Sequence, residues 1–159
     1  MKERPVMMNE LDAIDYQIIH MLQKNARASA KEISDKVLLS STAVAARIDR
    51  LMQRGIITGF TVRLHAGNLG YKIRAFISLK LDLRQNEVFM RMIQDTPNVV
   101  GCHSVTGEYD ILIEVIFRDT VELDAFIGSL QTFGPTKTRI VFSSAVDYRE
   151  EYIRTGEEK

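Results

Sequence analysis

The sequence predicts an α+β protein with a helical N-terminal half and a C-terminal half of βαββαβ order. Apolar residues recur at helical spacing across residues 14–51, capping residues precede each helical pattern, and an almost strict apolar/polar alternation, broken by Phe76, begins at Ile73. With 159 residues, 45% of them hydrophobic, the chain is long enough for two small domains. We expect a winged helix-turn-helix domain at 9–62, a linker at 63–72, a ferredoxin-like domain at 73–149 and a tail at 150–159.

Three short helices are predicted in the N-terminal half. Asp12 is placed to cap the first helix, which we expect over residues 13–25. Ser29 and Glu32 form a capping box at the start of the second. The third begins after Ser40 and ends at Gly55, a residue type that suits the left-handed position after a helix. The following "IITGFTVRLH" predicts a strand that would form a wing.

The third helix carries a local excess of positive charge. The whole chain has 21 basic and 21 acidic residues, yet residues 41–63 hold four arginines and only Asp49 as an acid. Two helices joined by a short turn form a helix-turn-helix, in which the second helix enters the major groove of DNA. A solvated arginine face on a small helical bundle is the alternative, but the order of capped helices, turn and wing strand favours DNA binding.

The C-terminal half alternates between strand and helix patterns. We expect a type II′ turn at Gly107 and Glu108 between two apolar strands. Two helices cover only one face of a four-stranded sheet, so Phe76, Leu112 and Ile116 would form an apolar patch on the other. The sequence therefore predicts a homodimer through the sheet, whose two-fold axis suits a palindromic DNA site. The expected strands lie at 73–83, 98–106, 109–117 and 136–144, and the helices at 85–97 and 120–134.

Taken together, the two halves resemble the leucine-responsive regulatory protein/AsnC family of transcription factors. The resemblance rests on "LDAIDYQIIHMLQKNARAS", on "LSSTAVAARIDRLMQRGIITGF" and above all on "CHSVTGEYDILIEV". The Gly-x-Tyr-Asp turn of the last stretch is similar to the family's effector-domain signature. In that family the C-terminal domains dimerise through their sheets and often assemble into tetramers or octamers. A small molecule, usually an amino acid, binds near the turn between dimers.

This resemblance implies two binding sites. The DNA-binding residues would be Ser40, Ser41, Thr42, Arg47, Arg50 and Arg54. The effector-binding residues would be Thr106, Gly107, Glu108, Tyr109 and Asp110, with Thr136 and Thr138 from a neighbouring chain. Backbone N–H groups of the turn would hold the carboxylate of an amino acid, and Asp110 its ammonium group. From the residues alone, the favoured interpretation of the same turn is a tight hairpin, with Gly107 in place for its backbone angles and Tyr109 and Asp110 as ordinary strand-end residues.

Some residues of the third helix depart from the family pattern. Ala45 and Ala46 stand where polar or basic side chains are usual, and Asp49 stands where lysine or arginine is common. Alanine offers a base edge only methyl contact with thymine, while aspartate is repelled by phosphates unless it accepts from cytosine N4. Leu38 occupies a turn position where the family often has glycine. We expect few base contacts and a larger share of phosphate and shape recognition.

Other chemistries find little support in the sequence. The single Cys102 allows no intramolecular disulfide, and adjacent strand residues such as Cys102 and His103 point to opposite faces rather than forming a nucleophile and base. His20, His65 and His103 lack metal-ligand spacing, and no glycine-rich phosphate loop is present. The first twelve residues have no apolar segment typical of a signal peptide, and no apolar run approaches a membrane span, so we expect a cytoplasmic location.

We therefore expect a transcription regulator that binds double-stranded DNA and responds to an amino acid, with no catalytic residues, metal or cofactor. An enzyme on the same scaffold is one alternative, because the sirohaem decarboxylases resemble this family in fold. They depend on arginine and histidine positions around a haem site, whereas "ITGFTV" has no arginine pair and His103 is the one histidine near the turn. A second alternative is an effector-binding protein with a weakened DNA-binding half.

Overall fold

A computed structural model describes residues 11–146, which divide into two compact units at 11–63 and 64–146. The predicted tail at 150–159 lies outside the described residues. So do residues 9 and 10 of the predicted N-terminal domain and residues 147–149 of the predicted C-terminal domain. Within 11–146, no helix is both long and apolar enough to cross a membrane.

The first unit contains the three predicted helices. Each begins where its cap was predicted, because the capping side chains of Asp12, Ser29 and Ser40 accept hydrogen bonds from backbone N–H groups in the first turn. The capping box of Ser29 and Glu32 is confirmed, and Asp12 forms a second one with Asp15. The helices are α1 (Ala13–Lys24), α2 (Ala30–Val37) and α3 (Ser41–Gln53).

The turn between α2 and α3 contains a strained residue. Leu38 has φ +56° and ψ +42°, a left-handed conformation in which a Cβ atom crowds the following carbonyl. Its side chain is 89% exposed, so burial does not compensate for this strain.

We expect Leu38→Gly to raise the free energy of unfolding by about 0.5–1 kcal/mol. Relief of the strain at Leu38 outweighs the larger conformational entropy that glycine gives to the unfolded chain. Urea unfolding would measure the gain. Leu38→Ala is the control, because it removes the exposed side chain but keeps the Cβ atom; an equal gain in Leu38→Ala would contradict the strain.

Residues 56–65, all of which the structure describes, form no strand, so the predicted wing strand is wrong. Phe60, Val62 and Leu64 do alternate, and all three are exposed. A strand also needs a neighbouring backbone that completes its hydrogen-bond ladder, and residues 58–65 have none among the described residues. The alternation of apolar residues therefore predicted a strand that does not form, because no neighbouring backbone within residues 11–146 pairs with it.

The second unit confirms the predicted βαββαβ order. Its four strands form one antiparallel sheet in the order β2-β3-β1-β4, which is the ferredoxin-like arrangement. All six of its helices and strands are shorter than predicted, because the flanking residues continue the polarity pattern without joining the ladder or the helix. The elements are β1 (Ile73–Leu79), α4 (Asn86–Gln94), β2 (Val99–Ser104), β3 (Ile111–Phe117), α5 (Thr120–Gln131) and β4 (Thr136–Ile140).

The two helices cover one face of the sheet, as predicted. Phe89 and Ile93 of α4 pack against the sheet, while the apolar Val88 beside Phe89 is 61% exposed. Val121 in the first turn of α5 is exposed as well. In both helices the larger buried side chains one turn apart set the inward stripe, and a neighbouring valine then lies about 100° or more away from it.

Candidate DNA-binding helix and effector loop

The turn that positions α3 uses the hydroxyl groups of both predicted serines. Ser40 Oγ accepts from the Ala43 backbone N–H at 3.1 Å as the N-cap of α3. Ser41 Oγ lies 3.2 Å from Ser34 Oγ, and the buried Ser34 also donates to the Lys31 carbonyl. These contacts fix α3 against α2. Both serines therefore build the helix-turn-helix itself, whatever they touch on DNA.

Two of the predicted DNA-binding arginines contact α1. Arg47 Nη1 donates to Asp12 Oδ2 at 2.6 Å and to Asp15 Oδ1 at 2.8 Å. Arg50 Nη2 donates to both Asp15 oxygens, at 3.0 and 2.8 Å. The side chain of Asp15 is only 1% exposed, compared with 23% for Arg47 and 49% for Arg50. We call these four residues the α1–α3 ion cluster.

The electrostatics of the α1–α3 ion cluster follow from this geometry. A buried carboxylate is tolerated when it is paired and hydrogen-bonded, and Asp15 receives two guanidinium groups. Partial desolvation raises the pKa of the Asp12 carboxyl, but the Asp15 N–H and the Arg47 guanidinium together outweigh it and hold that pKa below its usual value. Hydrogen bonds to Asp12 and Asp15 raise the pKa of Arg47. Two carboxylates thus offset part of the positive charge that the sequence assigns to α3.

A different set of α3 residues points away from the core. Val44 and Leu51 are fully buried, so the helical period places their opposite face outward. Every residue on that face is exposed. We call it the outward stripe, and it consists of Thr42, Ala46, Asp49 and Gln53, at positions i, i+4, i+7 and i+11.

Sequence reasoning therefore placed α3 correctly but missed the partners of its arginines. Of the predicted DNA-binding residues, Thr42 lies on the outward stripe, while Arg47, Arg50 and the half-buried Arg54 lie on the flank of α3 that includes the ion cluster. By its position in the sequence, Asp15 is only a favourable negative charge in the first turn of α1. Its partners are 32 and 35 residues away in sequence, and no short-range pattern reports such a pairing.

Five of the predicted effector residues, those at 106–110, lie on the connection between β2 and β3. The Val105 N–H donates to the Asp110 carbonyl at 2.8 Å, which closes a loop of four residues instead of the predicted two-residue type II′ turn. Gly107 has φ +124°, as expected for a position that favours glycine. The prediction of the turn type is wrong because the strands end earlier than the apolar pattern does.

The loop is anchored to the sheet and exposed at its tip. The Asp110 N–H donates to the Leu79 carbonyl at 3.1 Å, which ties the loop to the end of β1. Thr106, Gly107, Glu108 and Asp110 are exposed, and Tyr109 is half-buried. Exposed backbone N–H groups beside a carboxylate offer partners of both signs to a zwitterion.

Thr136 and Thr138 do not join this loop within one chain. They pair with Leu79 and Ile77 of β1, and directly paired residues share a face of the sheet. Because Ile77 and Leu79 face the helices, both threonines lie on the helix-covered side of the edge strand β4. Their contribution from a neighbouring chain stays a prediction.

The face of the sheet opposite the helices is apolar with paired charges. Phe76, Leu112 and Ile116 are half-buried there in the single chain. Arg74 Nε donates to Glu114 Oε1 at 2.6 Å across β1 and β3. These features leave an apolar surface, with part of its charge already neutralised, for a partner to cover.

Cys102 and His103 do not form a reactive pair. Cys102 packs on the helix side of the sheet and His103 pairs with Leu112 on the other side, which confirms that the two side chains do not converge. Burial raises the pKa of the Cys102 thiol, which disfavours a thiolate. Within residues 11–146, no group of three or more His, Cys, Asp or Glu is arranged to hold a metal ion.

Comparisons with known proteins agree with this arrangement. The AsnC-type helix-turn-helix domain matches residues 11–52, and the Lrp/AsnC ligand binding domain matches residues 74–151. The chain is 34% identical over 135 residues to the HTH-type transcriptional regulator FL11 of Pyrococcus furiosus, covering 82% of this chain and 89% of that protein. It is 30% identical over 132 residues to LrpA of Bacillus subtilis, covering 82% and 97%.

Solved structures show the same similarity. LrpC of B. subtilis matches with a TM-score of 0.82 and 27% identity, over 88% of this chain and 99% of that chain. AsnC of Escherichia coli matches with a TM-score of 0.80 and 26% identity, over 88% and 97%. The folds of both units, the helix-turn-helix and the sequence relatives lead to one conclusion. The chain belongs to the Lrp/AsnC family of HTH-type transcriptional regulators.

Proposed function

We propose that this regulator binds specific DNA sequences and that an amino acid alters its assembly or its DNA affinity. The observation that carries the proposal is the exposed outward stripe of α3, the second helix of a helix-turn-helix, in a chain that also has a separate ligand-binding domain. A structure of the same fold, that of NMB0573 from Neisseria meningitidis, is a complex with L-Met (TM-score 0.83, 23% identity, covering 90% of this chain and 96% of that one).

The structure refines which residues we propose for DNA. Thr42 would contact base edges, and Arg50 and Arg54 would contact phosphates beside the groove. Ser40 and Ser41 would shape the turn, and Arg47 would brace α3 against α1. Phosphate contacts by the flank would position the helix, while the outward stripe would face the bases.

For the effector, we propose the loop at 106–110. Its exposed backbone N–H groups would bind the carboxylate of an amino acid, and Asp110 would bind the ammonium group. Homodimers would form through the face that holds Phe76, Leu112 and Ile116, and they would assemble further into tetramers or octamers. The proposed domains follow the predicted ranges 9–62 and 73–149, joined by a linker.

Fluorescence anisotropy of the full chain with a labelled duplex from its own upstream region tests the proposal. We expect a complex that survives unlabelled non-specific DNA and weakens as salt rises, because phosphate contacts release counterions. A thermal-shift screen over the twenty amino acids should find at least one that raises the melting temperature and changes the DNA complex. Absence of any complex at low salt would overturn the DNA-binding function, and a screen without a stabilising amino acid would overturn the effector.

A further inference from the structure

The outward stripe of α3 presents a carboxylate to whatever α3 binds. We propose that Asp49 determines specificity by accepting a hydrogen bond from the exocyclic amino group of a cytosine in the major groove. This inference rests on the proposed DNA-binding function and adds to it the base that one residue recognises.

Asp49 is positioned to reach a base edge. It lies five residues after the fully buried Val44 and two before the fully buried Leu51, so the helical period points its side chain away from the core. Thr42 precedes it by seven residues on the same stripe. Because an α-helix rises 1.5 Å per residue, the two side chains are about 10 Å apart, a span of roughly three base pairs.

Asp49 has no structural role that would explain the carboxylate. Within residues 11–146 it takes part in no ion pair or side-chain hydrogen bond, and it is exposed. Arg47 and Arg50, the basic residues nearest to it in α3, are directed to the flank by Asp12 and Asp15. The outward stripe therefore carries a negative charge that its own helix leaves unpaired.

An unpaired carboxylate on a surface that approaches DNA loses affinity to phosphate repulsion unless a base donates to it. Guanine presents only N7 and O6 acceptors in the major groove, and thymine presents the O4 acceptor and a methyl group. Adenine has a donor at N6, but the N7 acceptor beside it repels a carboxylate. Cytosine alone offers an amino donor with no acceptor on its own major-groove edge, so it is the base that Asp49 selects.

The neighbouring residues suit this contact. Aspartate has a short side chain, so it reaches a base only where the helix backbone lies deep in the groove. Ala45 and Ala46 precede Asp49 by one turn and are both exposed, and their methyl groups allow that close approach. Alanine can make no base contact other than with the thymine methyl group. In this arrangement the small size of Ala45 and Ala46 is what lets the helix approach the bases.

Selection of binding sites from a random duplex library, using the full chain, tests the proposal. We expect the sites selected by the wild type to contain a C·G pair at one position in each half-site, preferred about 5- to 100-fold over other pairs. Asp49→Ala should abolish this preference and raise the affinity for non-specific duplex. Asp49→Asn should move the preference towards adenine, because asparagine pairs with adenine N6 and N7.

Asp35→Ala is the matched control. Asp35 is an exposed aspartate on α2, so the variant has the same charge change in the same unit and should select the wild-type site. If the wild type selects a site that Asp49→Ala retains, or one without such a C·G pair, the inference on Asp49 is overturned and DNA binding stands. If the wild type binds no duplex and selects no sequence, the proposed function itself fails.

Discussion

Asp15→Asn is expected to lower the free energy of unfolding of the N-terminal unit by about 2–3 kcal/mol, although the change removes only one charge. Asp15 is buried, and its two oxygens accept from Arg47 and Arg50. Without the carboxylate, two guanidinium groups lose their shared counter-ion at the edge of a buried site. Both arginines are partly exposed and can rehydrate, which is why we place the loss below that of a fully buried pair.

Urea unfolding followed by helical circular dichroism would measure the loss, with Asp35→Asn as the control for removal of an exposed aspartate charge from the same unit. A double-mutant cycle with Arg50→Ala would isolate the pair. We expect a coupling free energy of about 1–3 kcal/mol, as for side chains in direct contact. Equal stability of Asp15→Asn and Asp35→Asn would show that the α1–α3 ion cluster does not form in solution.

We expect the same substitution, Asp15→Asn, to strengthen DNA binding even though it weakens the fold. Asp12 and Asp15 offset positive charge on α3, so loss of one carboxylate leaves the surface near Arg47 and Arg50 more positive by one unit. We therefore expect Asp15→Asn to bind non-specific duplex more tightly at low salt, with a steeper salt dependence, in the fraction that stays folded. In the structure, Arg47 and Arg50 hold α3 against α1, and we expect their counter-ions to moderate the non-specific DNA binding proposed for this helix.

Sequence predicted the features that depend on residues close to one another. The caps at Asp12, Ser29 and Ser40 each involve a partner within three residues, and all three were placed correctly. The pairing of Asp15 with Arg47 and Arg50 spans more than 30 residues and requires the packed fold. Spacing along the chain therefore predicted where the helices lie, but not which charged side chains of different helices form ion pairs.

The second unit shows the same limit. Alternation located its four strands, but the length of the β2–β3 loop depends on where the ladder ends, which the apolar pattern at 98–117 does not mark. The wing strand fails for a related reason, because residues 58–65 alternate without a backbone partner in the described chain. Exposure of the outward stripe, by contrast, follows from the helical period, because the stripe lies opposite the apolar and buried Val44 and Leu51.

Gly134→Ala is expected to be the most damaging small substitution in the C-terminal unit, lowering its free energy of unfolding by about 3 kcal/mol or more. Gly134 connects α5 to β4 with φ +147°, a conformation that side chains other than glycine rarely adopt. A Cβ atom there would overlap with the carbonyl oxygen of Lys80, which belongs to rigid backbone. The backbone would have to move apart.

That movement would disturb the hydrogen bonds on both sides of Gly134. The Lys80 N–H donates to the Pro135 carbonyl, and the Asp82 N–H donates to the Phe133 carbonyl, both at 3.0 Å. These bonds hold the start of β4 beside the end of β1, where the Leu79 carbonyl also anchors the β2–β3 loop. We therefore expect a shift at Gly134 to weaken the amino-acid binding proposed for that loop as well as the stability of the unit.

Gly128→Ala provides the matched control for thermal and urea unfolding. Gly128 lies inside α5, and a Cβ atom there would meet nothing within 4 Å. Alanine should stabilise the helix by about 0.5–1 kcal/mol, because glycine is the poorer helix former. The same glycine-to-alanine change is thus expected to act in opposite directions six residues apart. Equal stability of the two variants would mean that the backbone near Lys80 does not approach Gly134 as closely in solution.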